Sequence, residues 1–456
     1  MPPQLKRCRR TNLTLDSCER RVLADKVNVL QAGLKSPVRS LAPSFSTRRS
    51  RHTSTCSQVS YAKTRSSRKV VDALPGGSTA QELPADILIL IFRLGVKVDD
   101  EVPVSASQVC FHWRRVAISC PLLWCKLRPD GRVNLSRSRI ARRRSLPLDI
   151  EIDDSPRIPS CTTPTLAKLH SQLSSTLPFL SSWHSLSINI TSHYPYLWNT
   201  LLSKLCSKGS ASSAPLLRRL SLVYPSNDDD KEFLLFGEQA PRLQDLRLHG
   251  IRLRWTPGLF ENLVHLDYIH QVVTPSFEAI QEVLSMLATS SRLQTLTIGF
   301  QGTARSSPIS WNVRKHIQSV TLPGLRKLTL RFLPGNSTRE LLVLLKKLKL
   351  PNLAELRFAN PSPSRLPRKL LAKVFRPFRY HPTLRSVALD EACYHPRHFC
   401  GFVQSLAVLS LISITRTSTQ PLQPVEQLLG LGFRVRRQRG QLVFWREHMS
   451  DLFTPS

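Results

Sequence analysis

Carboxylates are scarce in this chain: its 456 residues carry 31 Asp and Glu against 65 Lys and Arg, a formal net charge of +34. Such an excess favours encounter with polyanions and bears on solubility, but it does not specify a fold or a chemistry. Only part of it is N-terminal, since Met1 to Glu82 hold 16 basic and 5 acidic side chains, leaving +11 there and +23 for the remainder. Long apolar runs are missing as well. The longest, Phe402 to Ile414, is about 13 residues and is interrupted by Gln404 and serines, short of the ~20 that cross a bilayer. A soluble protein is expected. The opening MPPQLKRCRRTNL has no apolar signal segment, and the 10 cysteines lie mostly as isolated residues without a regular framework. A reducing compartment, cytoplasmic or nuclear or both, follows as an expectation, and the sequons at Asn12, Asn134, Asn189 and Asn336 are then chance matches.

Catalytic signatures are absent too. The sequence has no Gly-x-Gly-x-x-Gly, no Gly-x-x-x-x-Gly-Lys-Ser/Thr, no Gly-x-Ser-x-Gly and no His-Glu-x-x-His, the patterns behind phosphate cradles, nucleophile elbows and zinc proteases. A non-catalytic protein without a cofactor is expected. Two clusters remain. Cys393, His395, His398 and Cys400 crowd four potential metal ligands into eight residues, but ligands this close strain a tetrahedral site and no partner Cys-x-x-Cys lies nearby. A helix starting after Leu389, with Phe399, Phe402 and Val403 turned inward, accounts for the segment better. The run Arg137, Arg139, Arg142, Arg143, Arg144 reads as a solvated basic linker, with nuclear import or phosphate-backbone binding as alternatives. No recognition helix, zinc finger or aromatic RNA-binding motif accompanies the charge.

What the sequence does have begins at Glu82-Leu83-Pro84, a helix start in which proline occupies the first turn. Ile87, Leu88, Ile91 and Phe92 then share one face, extended by Leu94, and a second segment, Val104 to Ser119, sets Val109, Trp113, Val116 and Ala117 on one side before Pro121 stops it. So small a hairpin needs a neighbour or a partner. The order Leu-Pro, Ile/Leu-Phe face, Ser107-Gln108-Val109-Cys110, Trp113-Arg114 and Pro121-Leu122-Leu123-Trp124 resembles an F-box, over about 45 residues. The resemblance implies that Leu83, Pro84, Ile87, Leu88, Ile91, Phe92, Val109 and Trp113 line or support contact with a Skp-family adaptor, and through it a cullin.

Beyond this segment one pattern recurs: hydrophobic, two variable positions, hydrophobic, one variable, hydrophobic. Its eight copies are Trp183-Leu186-Ile188, Leu217-Leu220-Leu222, Leu243-Leu246-Leu248, Leu263-Leu266-Tyr268, Leu293-Leu296-Ile298, Leu325-Leu328-Leu330, Leu353-Leu356-Phe358 and Leu384-Val387-Leu389. Successive centres lie 34, 26, 20, 30, 32, 28 and 31 residues apart. Helical stripes lie between them, as in Pro275–Leu287 and Ser337–Leu348. The register resembles leucine-rich repeats, although unit length is uneven and the Asn or Cys that commonly follows the strand is missing; the alternative is an α/β domain with a parallel sheet. The expected fold is therefore α/β, an N-terminal helical F-box followed by an irregular repeat solenoid of parallel strands with helices. Expected boundaries are a basic disordered tail over 1–80, the F-box over 81–127, the basic linker over 128–146, the solenoid over 147–430 and a C-terminal hairpin over 431–456. An alternating strand at Leu148, Ile150 and Ile152 caps the start.

The layout resembles the large sets of F-box proteins with irregular leucine-rich repeats in mushroom-forming fungi. The implied function is a substrate receptor of a Skp-cullin-F-box ubiquitin ligase, its repeats holding an unknown protein target. Arg218, Arg247 and Arg331, alternating with inward residues, are candidate contacts for an acidic or phosphorylated target. The alternative is a basic repeat scaffold or nucleic-acid-associated protein outside any ligase.

Overall fold

A computed structural model describes residues 83–129, 133–154, 165–206, 213–227, 229, 231–272, 276–302, 318–333, 338–362, 364–416, 426–438 and 440–446. The tail over 1–80, including a short helix expected near Leu13–Leu34, lies outside the described residues.

Three helices come first: α1 (Ala85–Val98), α2 (Val102–Val109) and α3 (Phe111–Ser119), followed by a 3-10 turn over Pro121–Trp124. The segment expected over Val104–Ser119 is divided between two helices. The chain breaks at Cys110, whose extended backbone (φ −151°, ψ 174°) sets its Sγ at 3.5 Å to accept from the Trp113 N–H, a cysteine doing the work usually given to Ser or Asp at a helix start. Leu88, Phe92, Ala106, Val116, Ala117, Cys120, Leu123 and Trp124 form a small core of their own. The Trp124 indole N–H closes it by donating to the Ala117 carbonyl at 2.9 Å.

The rest alternates strands with helices. In order come β1 (Lys126–Leu127), α4 (Val133–Arg142), β2 (Leu148–Asp153), α5 (Leu166–Ser174), β3 (Trp183–Asn189), α6 (Leu197–Leu202) and β4 (Arg219–Val223). Then follow β5 (Glu232–Phe233), β6 (Asp245–His249), β7 (Arg252–Leu253), α7 (Pro257–Phe260), β8 (His265–Val272), α8 (Ser276–Thr289), β9 (Thr295–Gly302) and β10 (Val320–Thr321). The last third holds β11 (Lys327–Phe332), α9 (Thr338–Lys347), β12 (Leu348–Lys349), β13 (Glu355–Ala359), α10 (Arg368–Phe375), β14 (Ser386–Asp390) and α11 (Pro396–Gln404). It ends with β15 (Leu411–Thr415), α12 (Glu426–Leu429), β16 (Arg434–Gln438) and β17 (Gln441–Trp445).

Among the described residues thirteen strands make one sheet, ordered β1-β2-β3-β4-β6-β8-β9-β11-β13-β14-β15-β17-β16. All neighbours from β1 to β15 are parallel, while β17 and β16 close the far end as an antiparallel hairpin. The architecture is thus mixed α/β with a large, mostly parallel sheet, compatible with an α/β solenoid. The repeat centres are literal neighbours: Leu186, Leu220, Leu246, Leu266, Leu296, Leu328, Leu356 and Val387 pair strand to strand in one row. The row runs on to Ile412 on β15, a ninth copy, Leu409-Ile412-Ile414. Ile150 on β2 extends it at the other end. These side chains, the residues two places on, and the leading Trp183, Leu217, Leu243, Leu263, Leu293, Leu325, Leu353, Leu384 and Leu409 are all buried. Each such side chain contributes ~1.5–3 kcal/mol on leaving water, so no unit is stable without its neighbours.

The turns after the strands use several devices. Asn360 is buried, donates to the Ser364 carbonyl and accepts from the Ser362 N–H, so an asparagine does follow one strand. Asp154 accepts the Thr191 and Ser192 N–H groups at 3.0 and 2.6 Å. Gly250, at φ +71°, is required: a Cβ there would lie 1.8 Å from the Tyr224 carbonyl oxygen.

The helical segment is fastened to the sheet by charge. Arg128 bridges Asp100 at 3.2 Å and Glu151 at 2.7 Å, and Arg139 meets Glu101 at 2.7 Å. The arginine run is therefore not a solvated linker throughout, because it lies largely in α4 and Arg139 and Arg143 are buried.

Candidate docking faces

Helix α1 divides its apolar residues between two directions. Leu88 and Phe92 point into the small core, fully or almost fully buried, with the Trp113 ring edge-on to Phe92 at 5.3 Å. Ile87 (41% exposed), Leu90 (53%), Ile91 (45%) and Leu94 (54%) face away from it, and Val98 continues the line at 86%. Positions i, i+3, i+4, i+7 and i+11 form one stripe along a helix, and no described residue covers it. Exposed leucines scattered singly need no explanation, whereas an ordered row of them marks an interaction surface.

The residues expected for adaptor contact are distributed accordingly. Ile87 and Ile91 lie on the stripe, and Pro84 is exposed just ahead of it. Leu83 is half-buried, its carbonyl 3.1 Å from the His112 Nε2. Leu88 and Phe92 support the helix from beneath, and Trp113 is half-buried behind Phe92. Val109 is 52% exposed and Phe111 76%, on either side of the Cys110 break. Ile87, Leu88, Ile91 and Phe92, expected on one face, are divided between two, and Leu90, Val98 and Phe111 are exposed as well. The spacing 87, 90, 91, 94 carried the signal for the stripe.

The second face is the outer side of the sheet. There the odd-phase residues of β3, β4, β6, β8 and β9 surround a shallow depression of about 360 Å³, with Ser185, Arg219, Asp245, Arg247, His265 and Asp267 in its lining. Its charges engage one another. Asp267 takes Arg247 at 3.4 Å and Arg331 at 3.3 Å, and Asp245 lies 3.7 Å from the His265 ring. Arg331 reaches Asp267 across β9 because its pairing partner there is Gly299, where a Cβ would meet the Arg331 backbone oxygen at 2.9 Å and its Cβ at 3.2 Å. Beside the depression Asp149 accepts from the Ser185 hydroxyl at 2.6 Å, sits 2.9 Å from His184 Nδ1 and takes Arg219 at 3.4 Å. Burial pushes its carboxyl up, but these hydrogen bonds and the Arg219 charge outweigh that and hold it below the usual carboxylate range. His249 is pushed down by burial, against the hydrogen bond to Gln301 and with Arg331 and Arg247 adding to the effect.

Arg247 and Arg331 therefore share this face, as expected, but as ion-paired groups rather than as a free basic surface. Arg218 does not share it. It precedes β4, and Arg219 takes the outward position.

The Cys393–Cys400 segment forms the helix anticipated for it, α11, with Phe399, Phe402 and Val403 fully buried. Cys393 and Cys400 join the main core, and burial raises both thiols, which opposes the thiolate a metal requires. Among the described residues no three His, Cys, Asp or Glu side chains gather closely enough to hold a metal ion, and no helix is long and apolar enough to cross a membrane. No protein-family model matches this chain, and no curated protein matches it in sequence.

Proposed function

We propose that this chain is a non-catalytic substrate receptor of a Skp-cullin-F-box ubiquitin ligase, in which α1 docks the Skp-family adaptor and the repeat sheet holds a protein target. One observation carries the reading: the uncovered Ile87-Leu90-Ile91-Leu94 stripe on a small helical unit with its own core, placed ahead of a repeat sheet. The F-box resemblance of Leu83 to Trp124 supports the choice of partner. The receptor performs no bond chemistry; it raises the effective concentration of a target lysine near the charged conjugating enzyme. The outer-face depression across β3 to β9 is the target site. Its paired charges of both signs fit a protein surface of alternating charge better than a purely acidic tail, since complementary pairing sets specificity and register. A basic scaffold for nucleic acid, the other reading of the +34 charge, draws no support from this face, where Arg219 and Arg247 in the lining are matched by Asp245 and Asp267.

The test is co-purification with a Skp-family adaptor at moderate salt. Leu90→Asp/Leu94→Asp, both exposed in the free chain, is expected to abolish capture while leaving the melting temperature unchanged. Capture by the double variant equal to wild type, or no capture by wild type, removes the receptor reading.

A further inference from the structure

The fold gives the arginines of α4 and the turn after it different environments. Arg139 is ion-paired with Glu101, and Arg142 lies over the Trp124 ring, 4.6 Å from its centroid. Arg143 is only 5% exposed and has no carboxylate partner among the described residues. Its guanidinium donates to the Leu146 carbonyl and to Ser182 Oγ at 2.9 Å and lies 5.9 Å from the Phe179 ring centroid, and its Nε is buried without a hydrogen-bond partner among the described residues. Burial accordingly lowers its pKa. Arg137 and Arg144, both exposed, line the same pocket of about 300 Å³, whose remaining walls are Ile140, Ala141 and Phe179. Three arginines thus line one space whose described lining contains no acid. Arg144 is held there with a left-handed backbone, φ +57°, a conformation that costs arginine and suits glycine.

Like charges gathered around a recess, one of them buried with a donor unused, favour an anion that supplies the missing acceptor and negative charge. We propose that this pocket binds a phosphate monoester, with Arg143 as the buried anchor and Arg137 and Arg144 closing on the outer oxygens. A phosphate monoester carries close to two charges at neutral pH and three acceptor oxygens, matching several guanidinium forks where a carboxylate offers one charge and two oxygens. The pocket is larger than a bare phosphate needs and is at the lower end of small-ligand sites. The Phe179 and Ile140 wall provides an apolar surface for the carbon body of the ester. The site is built by α4, the turn after it and the 3-10 segment Leu177–Ser182 before β3, so it stands apart from the α1 stripe and does not depend on the receptor reading.

The full chain is titrated by calorimetry with phenyl phosphate at constant ionic strength, with inorganic phosphate and benzoate as comparators. Saturable binding of phenyl phosphate is expected, at least tenfold tighter than either comparator and weakening below about pH 6 as the dianion protonates. Arg137→Gln and Arg144→Gly are each expected to weaken it tenfold or more. Arg144→Gly is also expected to melt no lower than wild type, because glycine adopts φ +57° freely, which separates loss of the site from loss of the fold. A parallel titration with N-acetyl-phosphoserine amide identifies the source: tighter binding than phenyl phosphate assigns a phosphorylated protein side chain, weaker binding a free monoester. No saturable phenyl phosphate binding, unchanged affinity in both variants, or inorganic phosphate binding as tightly as the ester overturns the proposal. Adaptor capture by the same variants stays at the wild-type level.

Discussion

His270 lies on β8 between Tyr268 and Phe300, with ring centroids 5.7 Å from each and its Nδ1 2.8 Å from the Tyr268 hydroxyl. It is fully buried. Burial, with the Arg252 charge adding to it, lowers its pKa to about 3. In an unfolded chain the same ring titrates near ~6.5. Below that pH the unfolded state therefore takes up a proton that the folded state refuses. The stabilisation is present in full above about pH 6.5 and is lost as pH falls towards 3, at up to ~1.4 kcal/mol per unit. His270→Gln keeps an acceptor for Tyr268 and removes the titration. Urea midpoints measured from pH 7 to pH 4 are expected to fall less steeply for this variant than for wild type; parallel curves would mean that the ring titrates normally in the fold.

At the scale of the element, α1 carries two apolar faces, one buried and one exposed. Leu88 and Leu90 are two residues apart, yet Leu88 is fully buried and Leu90 is 53% exposed, because the helix turns them about 200° apart. Leu88→Ala leaves a hole in a small core and is expected to cost ~2–5 kcal/mol in chemical denaturation. Leu90→Ala is expected to stay within ~0.5 kcal/mol. Were Leu90→Ala to cost as much as Leu88→Ala, the stripe would be covered within the chain and the docking surface would not exist. The break at Cys110 belongs to the same scale, since it lets α3 present Val116 and Ala117 to the core while Val109 remains outside.

For the molecule as a whole, the chief hazard is the open end of the sheet. At one end β1 is only two residues long. At the other, β16 exposes all five residues and carries Arg434, Arg436 and Arg437 beside Val435. Charged side chains on an exposed edge hinder pairing with a second copy. Arg436→Thr/Arg437→Thr is expected to make the protein associate with rising concentration, read by light scattering at fixed salt. A variant that stays as monodisperse as wild type would show that the edge is protected by other means. The excess positive charge, by contrast, is not gathered in the outer-face depression, where Arg219 and Arg247 are matched by Asp245 and Asp267.

The eight repeat centres were legible from spacing alone, and they stand in one hydrogen-bonded row because burying one side of a parallel strand demands a period of two wherever the strand occurs. The ninth, at Ile412, was hidden in the apolar run Phe402–Ile414, which the fold divides between α11 and β15. The inward face of α11 was legible for the same reason as the strands, its phenylalanines following the helical period. The α1 stripe was half legible: 87, 90, 91 and 94 repeat correctly, but which of two apolar faces turns outward depends on where α2 and α3 pack. The partnership of Arg331 with Asp267, 64 residues apart and across Gly299, left no trace in the local pattern, and neither did the burial of Arg143. Periodicity records how a backbone meets a core and is written within a few neighbouring residues. Which charges meet, and which are left without a partner, is decided only when distant segments are brought together.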